Sequence, residues 1–328
     1  MTLSFDQIKQ LSLGAVRWEE CDGCLAPRRF SSREQQKYRT RRQESYLRSF
    51  ATAGIRLEFI TDSETLSLKV RVLPSTSRRW FSHSLLVDGQ KLGELSGALP
   101  EGETCVNFEK RFSLGPGRKR VSILFPWSVE SRIQEIALDD GAAAVPVDKT
   151  KLLLSYGDSI TQGYDAPSPE EAYIVRLADA MDARLICKAI GGERFWPELP
   201  GLSEVENPDL ICVAYGTNDW SLSGREEFLE DSLGFFRALR QRYPETPVLA
   251  LAPIWREDIF ARERSVGAFE EVAAQLWRIA REVPGITVVD CRDFVPKSPD
   301  SFADLKLHPN AEGFRHYSEN LLTALGLR

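Results

Sequence analysis

The sequence predicts an α/β protein with a three-layer parallel sheet, preceded by an antiparallel β-sandwich. Three observations predict this. After residue 150, short apolar runs alternate with helical stretches, the pattern of βαβ units. Before it, apolar and polar residues alternate in short segments broken by Gly, Pro and Asp, the pattern of a half-buried antiparallel sheet. Between them lies residues 139–148, with small residues, a proline and no amphipathic period. The expected domains are therefore 1–147 and 148–328.

Bulk properties limit the functional classes. The chain has 328 residues, a length that suits two domains. A net charge of −6 gives no global pull toward nucleic acid or an anionic membrane. No apolar stretch approaches the roughly 18 residues of a membrane-spanning helix. Residues 1–14 lack a basic head followed by a long apolar core, so no signal peptide is expected and a cytoplasmic location follows. Among the six cysteines, Cys187, Cys212 and Cys291 lie in or beside apolar runs and read as buried thiols. Cys21 and Cys24 form a lone CxxC. It has no second pair, and the first histidine in the chain is His83. No metal is expected there.

Taken in order, the strands of the first half fall at 55–59, 66–72, 85–87, 106–112 and 121–125. The third leads into a turn at Asp88-Gly89. Residues 28–48 are rich in Arg and Gln. They read as a solvated helix or loop rather than a nucleic-acid patch, because no aromatic interleaving accompanies the charge. In the second half, strands are expected at 152–156, 184–189, 210–214, 248–251 and 287–290. Helices are expected at 170–181, 225–242, 264–282 and 311–325.

Chemistry collects at the carboxyl ends of these strands, where open α/β sheets hold their ligands. Strand 152–156 runs into Gly157-Asp158-Ser159. Strand 184–189 runs into Ile190-Gly191-Gly192-Glu193, whose glycines let backbone N–H groups approach a ligand. Strand 210–214 runs into Tyr215-Gly216-Thr217-Asn218-Asp219. Before the last helix stands Asp304-Leu305-Lys306-Leu307-His308-Pro309-Asn310. A serine hydroxyl is a poor nucleophile until a base takes its proton. Histidine is the residue type suited to that task near neutral pH, and His308 is the candidate. The N–H groups of Ser159 and Gly192 and the side-chain amide of Asn218 are the candidate oxyanion donors. Asp158 and Asp219 read as supports for the loops.

Together these four blocks resemble the SGNH, or GDSL-like, hydrolase superfamily. Gly157-Asp158-Ser159 matches its nucleophile block, Gly192 its oxyanion glycine, Gly216-Thr217-Asn218-Asp219 its GxND block and His308-Pro309-Asn310 its histidine block. The resemblance covers about residues 150–328 and implies that the three-layer sheet is flavodoxin-like and the sandwich before it jelly-roll-like. The first half is similar to the β-sandwich that precedes the catalytic domain in some two-domain esterases and acyltransferases of the superfamily. One position departs from the pattern. The family places its acid three residues before the histidine, where this chain has Leu305, and Asp304 stands four before. A loop bulged by one residue brings Asp304 to His308; otherwise a Ser–His dyad remains, oriented by a backbone carbonyl or by Asp300.

Two tryptophans, Trp196 and Trp220, follow the blocks and read equally as walls of an acyl or sugar pocket or as core. His316, within the last helix, and His83, in the other domain, read as structural. The resemblance implies a serine esterase that cleaves a small O-acyl, chiefly O-acetyl, ester on a carbohydrate or similar small molecule, with no cofactor. Homo-oligomerisation is left open. An acyltransferase of the same mechanism and a non-catalytic carbohydrate-binding protein are the alternatives.

Overall fold

The computed structural model describes residues 1–260 and 264–327. Residues up to Pro146 build two antiparallel sheets. One has the strand order Ser12–Leu13, Arg56–Thr61, Lys119–Leu124, Trp80–Val87, Gln90–Ala98, with Val145–Pro146 also pairing on Arg56–Thr61. The other runs Arg17–Cys21, Cys24–Arg28, Val129–Leu138, Thr65–Pro74, Val106–Ser113. Alternation decides which side faces in. In Thr65–Pro74 the buried positions are Leu66, Leu68, Val70 and Val72. They meet Leu57, Phe59, Val121 and Ile123 of the facing sheet in one apolar core.

The third sheet is entirely parallel. Its order is Ala183–Cys187, Lys151–Gly157, Leu210–Ala214, Val248–Leu251, Ile286–Val289. In sequence terms this is 2-1-3-4-5, the flavodoxin-like order. Its ligand crevice opens where the chain turns from one side of the first strand to the other. Lys151–Gly157 is that first strand, so the residues after Gly157 emerge at the crevice. Apolar side chains leave both faces of the sheet, into a core with the helices Arg225–Arg242 and Glu270–Glu282 and a core with Tyr173–Ala180 and Ala311–Ala324. Among the described residues no helix is long and apolar enough to cross a membrane.

Several elements differ from the sequence expectation. The helix expected at 170–181 is a 3-10 turn at Pro169–Glu171 and a helix at Tyr173–Ala180, separated by an extended Ala172. The helix expected from 264 starts at Glu270, after Gly267 takes a left-handed φ of +102°. The strand expected to end at 189 ends at Cys187. The largest correction concerns residues 28–48. They form the helices Ser32–Arg41 and Gln43–Arg48, and their charged side chains are not simply solvated. Arg28, Arg29 and Glu34 are buried. Arg29 donates to carbonyls of the parallel-sheet domain and Glu34 pairs with its Lys188, while Arg28 pairs with Glu19 and Glu130 of the β domain itself.

Candidate active site

The serine is delivered by a tight exit from the first parallel strand. A Cβ on Gly157 would stand 2.4 Å from the Thr161 hydroxyl, so only glycine lets the chain fold back so closely. Asp158 then caps the short helix Ser159–Gln162, its Oδ1 accepting from the N–H of Ile160 at 3.0 Å. Burial pushes the Asp158 carboxyl up to about 6 against that hydrogen bond. Ser159 Oγ lies 2.9 Å from His308 Nε2. Among the described residues the N–H of Ser159 has no protein acceptor.

The histidine loop explains the four-residue spacing. Leu305 takes a left-handed φ of +58°, unusual for a bulky residue, and is exposed. That turn lets Asp304 Oδ1 accept from the N–H groups of Lys306, Leu307 and His308, at 3.1, 2.7 and 3.0 Å. Its Oδ2 is left 2.8 Å from His308 Nδ1. Burial raises the Asp304 carboxyl, but the hydrogen bonds from His308 and the backbone overcome it and hold it well below the usual carboxylate range. An ionised Asp304 only accepts, so Nδ1 carries the proton and Nε2 accepts from the Ser159 hydroxyl. Asp300 takes no part in orienting the ring; its carbonyl accepts from the Asn310 side chain.

The glycine loop is a turn closed from Glu193 N–H to the Ile190 carbonyl, with Gly192 at φ +80°. Gly191 N–H donates to Gln162 Oε1 at 2.8 Å. Among the described residues the N–H of Gly192 has no protein acceptor. The Asn218 side-chain amide donates one hydrogen to the Glu193 carbonyl at 3.0 Å, and the second is left over. Asp219 joins the two neighbouring segments, accepting from Phe195 N–H at 3.0 Å and Gly216 N–H at 3.1 Å. Its burial pushes the carboxyl up to about 7 despite those bonds.

The far side of this loop is held by the β domain. Arg48 donates to the Gly191 carbonyl at 2.5 Å and Arg42 to the Gly192 carbonyl at 3.0 Å. Arg41 pairs with Glu193 at 2.6 Å, and Ser45 also donates to it. Arg29, fully buried, donates to the carbonyls of Cys187 and Ala189 at 2.7 and 2.9 Å. Lys188 and Glu34 form an ion pair at 2.6 Å with both side chains 0 % exposed. Sequence reasoning missed all of these partners. The signal was the density of arginines in residues 28–48 without matching acids nearby.

A second missed group surrounds the imidazole. Asp165 Oδ2 lies 3.6 Å from His308 Nδ1. Arg78, from the β domain, holds Asp165 with two parallel bonds of 2.7 and 2.6 Å. The Tyr164 ring stacks on the imidazole at 5.5 Å, with the Arg78 guanidinium 5.6 Å from the tyrosine's ring centre. The ligating atoms of Asp165, Asp304 and His308 lie within 4.8 Å of one another. The cation that faces Asp165 there is Arg78.

The remaining sequence candidates lie outside this group. Trp196 and Trp220 are core residues, buried beneath Arg41 and between Arg256 and Arg264 respectively, not pocket walls. His83 is buried with Nε2 2.7 Å from the Ser131 hydroxyl, and burial pushes it down to about 3. His316 pairs with Glu312 on the last helix. Cys21 and Cys24 face each other across the turn of a hairpin.

The 2-1-3-4-5 parallel sheet, with a serine, a glycine loop and a histidine at its crevice, is the α/β fold of the SGNH hydrolases. Residues 155–316 match the GDSL-like Lipase/Acylhydrolase family, and the chain carries a domain of that family. The whole chain is similar in fold to a salicylyl-acyltransferase, SsfX3, from a tetracycline biosynthetic pathway. The TM-score is 0.80 at 23% identity, over 96% of this chain and 94% of that one. It is also similar to a Bacteroides ovatus protein described as a GDSL-like lipase, with TM-score 0.75, 20% identity and coverages of 99% and 97%. A family two carbohydrate esterase from Cellvibrio japonicus gives TM-score 0.65 and 16% identity over 100% and 98%. No curated protein matches the sequence.

Proposed function

We propose that the protein is a serine esterase that removes a small acyl group, chiefly acetyl, from a carbohydrate or similar polyol. The observation that carries this reading is the continuous hydrogen-bonded line Ser159 Oγ, His308 Nε2, His308 Nδ1, Asp304 Oδ2, with links of 2.9 and 2.8 Å. In this reading His308 Nε2 takes the Ser159 proton as Oγ attacks the ester carbonyl. The tetrahedral oxygen gathers negative charge and draws on the N–H groups of Ser159 and Gly192 and the spare Asn218 hydrogen. Losing one such donor costs on the order of 3 kcal/mol of barrier. The imidazolium then protonates the leaving alcohol, and water repeats the sequence on the acyl-Ser159 ester. Asp304, ionised, stabilises the imidazolium and fixes its tautomer. Asp158 and Asp219 support the serine and glycine loops. Ser159 is only 5 % exposed, which suits a small acyl group.

An alcohol in place of water would make the same acyl-enzyme an acyltransferase. The β domain, read as residues 1–147, is the accessory unit that completes the site's outer wall. The test is hydrolysis of p-nitrophenyl acetate by the wild type, Ser159→Ala and His308→Ala, with added alcohols as competing acceptors. Both variants should lose activity by about 10³-fold or more. Undiminished turnover by Ser159→Ala would sink the mechanism. Ester formed with the added alcohol in preference to free acetate would replace the esterase by the transferase.

A further inference from the structure

His308 stands within reach of two carboxylates on one side of its ring. Asp304 Oδ2 is 2.8 Å from Nδ1 and Asp165 Oδ2 is 3.6 Å from the same nitrogen. One proton on Nδ1 cannot serve both. The Asp165 side chain is 9% exposed, so an unpaired charge there would be poorly hydrated and would seek the nearest donor. Its backbone also sits at φ +66°, a conformation that a non-glycine residue keeps only when its surroundings hold it.

What holds it is Arg78. The guanidinium covers both carboxylate oxygens of Asp165 in a bidentate fork. The same arginine lies over Tyr164, whose ring also meets the imidazole of His308 and the indole of Trp127. Trp127 belongs to the β domain and donates from its indole to the Ala166 carbonyl at 3.0 Å. The segment 164–166 is thus clamped from the β domain at both its acid and its backbone. Among the described residues the Arg78 guanidinium has no such partner on its own side of the seam beyond a long contact to Ser77 at 3.5 Å.

We propose that Arg78 and Asp165 are a positioning pair that the β domain contributes to the acid–base machinery. Arg78 occupies Asp165, and the His308 Nδ1–H therefore stays on Asp304, with Nε2 aligned on Ser159. The pair makes no contact with the reacting atoms; it acts through the orientation of the imidazole. Its effect on turnover rests on the esterase reading, while its effect on the ring does not.

The experiment compares Arg78→Gln, Arg78→Lys and the double variant Arg78→Gln/Asp165→Asn in the full-length protein. Arg78→Gln should lower kcat for p-nitrophenyl acetate about ten- to a hundredfold while KM changes less than about threefold. Removing the competing charge in the double variant should restore kcat to within about threefold of the wild type, the non-additivity expected of residues that act together. Arg78→Lys keeps the charge without the fork and should fall between. The second readout is the downfield imidazole N–H proton resonance, assigned by its loss in His308→Ala. It should move in Arg78→Gln and return in the double variant. Equal impairment of the single and double variants, or an unmoved resonance in a folded Arg78→Gln, would overturn the proposal. If the wild type cleaves no ester, the esterase reading fails, and the resonance alone still decides the pair.

Discussion

The histidine loop and the glycine loop flank the same serine, yet they are held in place by different means. The histidine loop closes on itself. Asp304 takes three backbone N–H groups from its own next four residues, Ala303 N–H reaches the His308 carbonyl and Phe302 bridges to Pro309. The glycine loop contributes one turn bond of its own. Its other anchors include Arg42, Arg48, Arg41 and Ser45, all from the far domain, with Gln162, Asn218 and the Gly157 carbonyl from neighbouring segments. In the proposed mechanism the acid of the acid–base half is therefore placed locally, with the β domain reaching it only through Arg78 and Asp165, whereas the donor half is held directly by side chains of the β domain. Evolution or engineering could alter the second through residues far from the serine.

The strongest way to break the local half is to remove its acid. Asp304→Ala should lower kcat by about 10³- to 10⁴-fold, the range seen when a triad acid is removed and the imidazole loses its tautomer. Hydrolysis of p-nitrophenyl acetate by purified protein measures it. If kcat falls by less than about tenfold, the site works as a Ser–His dyad and the short Asp304–His308 contact is incidental. The imposed half should respond differently, in folding more than in chemistry. Lys188 and Glu34 are both fully buried beside the glycine loop. Burial pulls the Lys188 ammonium down, and Glu34 opposes it. Removing one partner leaves the other charged and dry. Lys188→Met or Glu34→Gln should therefore cost about 3–5 kcal/mol, read from urea unfolding, whereas replacing both with apolar residues should cost far less. Equal losses for the single and double variants would show that the pair is not coupled.

This contrast also explains what could be read from the chain. The parallel strands are continuous apolar runs, so Leu152, Leu153 and Leu154 announce themselves. The serine, glycine, asparagine and histidine follow strands in order, and strand ends bring them to one crevice. Asp304 stood one residue from its expected place, and its reach became clear only from the left-handed Leu305, which no pattern of hydrophobicity encodes. Arg78 and Asp165 lie 87 positions apart in different domains, and their pairing depends on how those domains dock. The arginines of 28–48 looked solvated because a sequence shows charges but not the carbonyls that will face them. Helix ends moved for local reasons, as at Ala172 and Gly267.

The smallest expected effect separates the two halves by the sign of their pH dependence. Asp219 ties the segment after the glycine loop to Gly216, and burial pushes it up to about 7. An unfolded aspartate titrates near 3.9. Between about pH 4 and pH 7 the folded protein therefore holds a proton that the unfolded chain has released. That contribution to stability is fully present below about pH 4 and is lost as pH rises through 7. Asp158, pushed up to about 6, acts in the same direction. Asp304 has the opposite sign. Its folded form is held below the usual range, so its contribution is present above about pH 4 and is lost only in acid. Asp219→Asn removes the titration while keeping one acceptor for the two N–H groups. Its melting temperature should start lower than the wild type's in mild acid and decline less steeply toward neutrality, measured by thermal unfolding across that window. Asp304→Asn should leave the same slope unchanged. Asp158 leaves a residual slope in Asp219→Asn; a slope undiminished from the wild type's would mean that Asp219 is ionised in the folded protein throughout, its two backbone donors outweighing its burial.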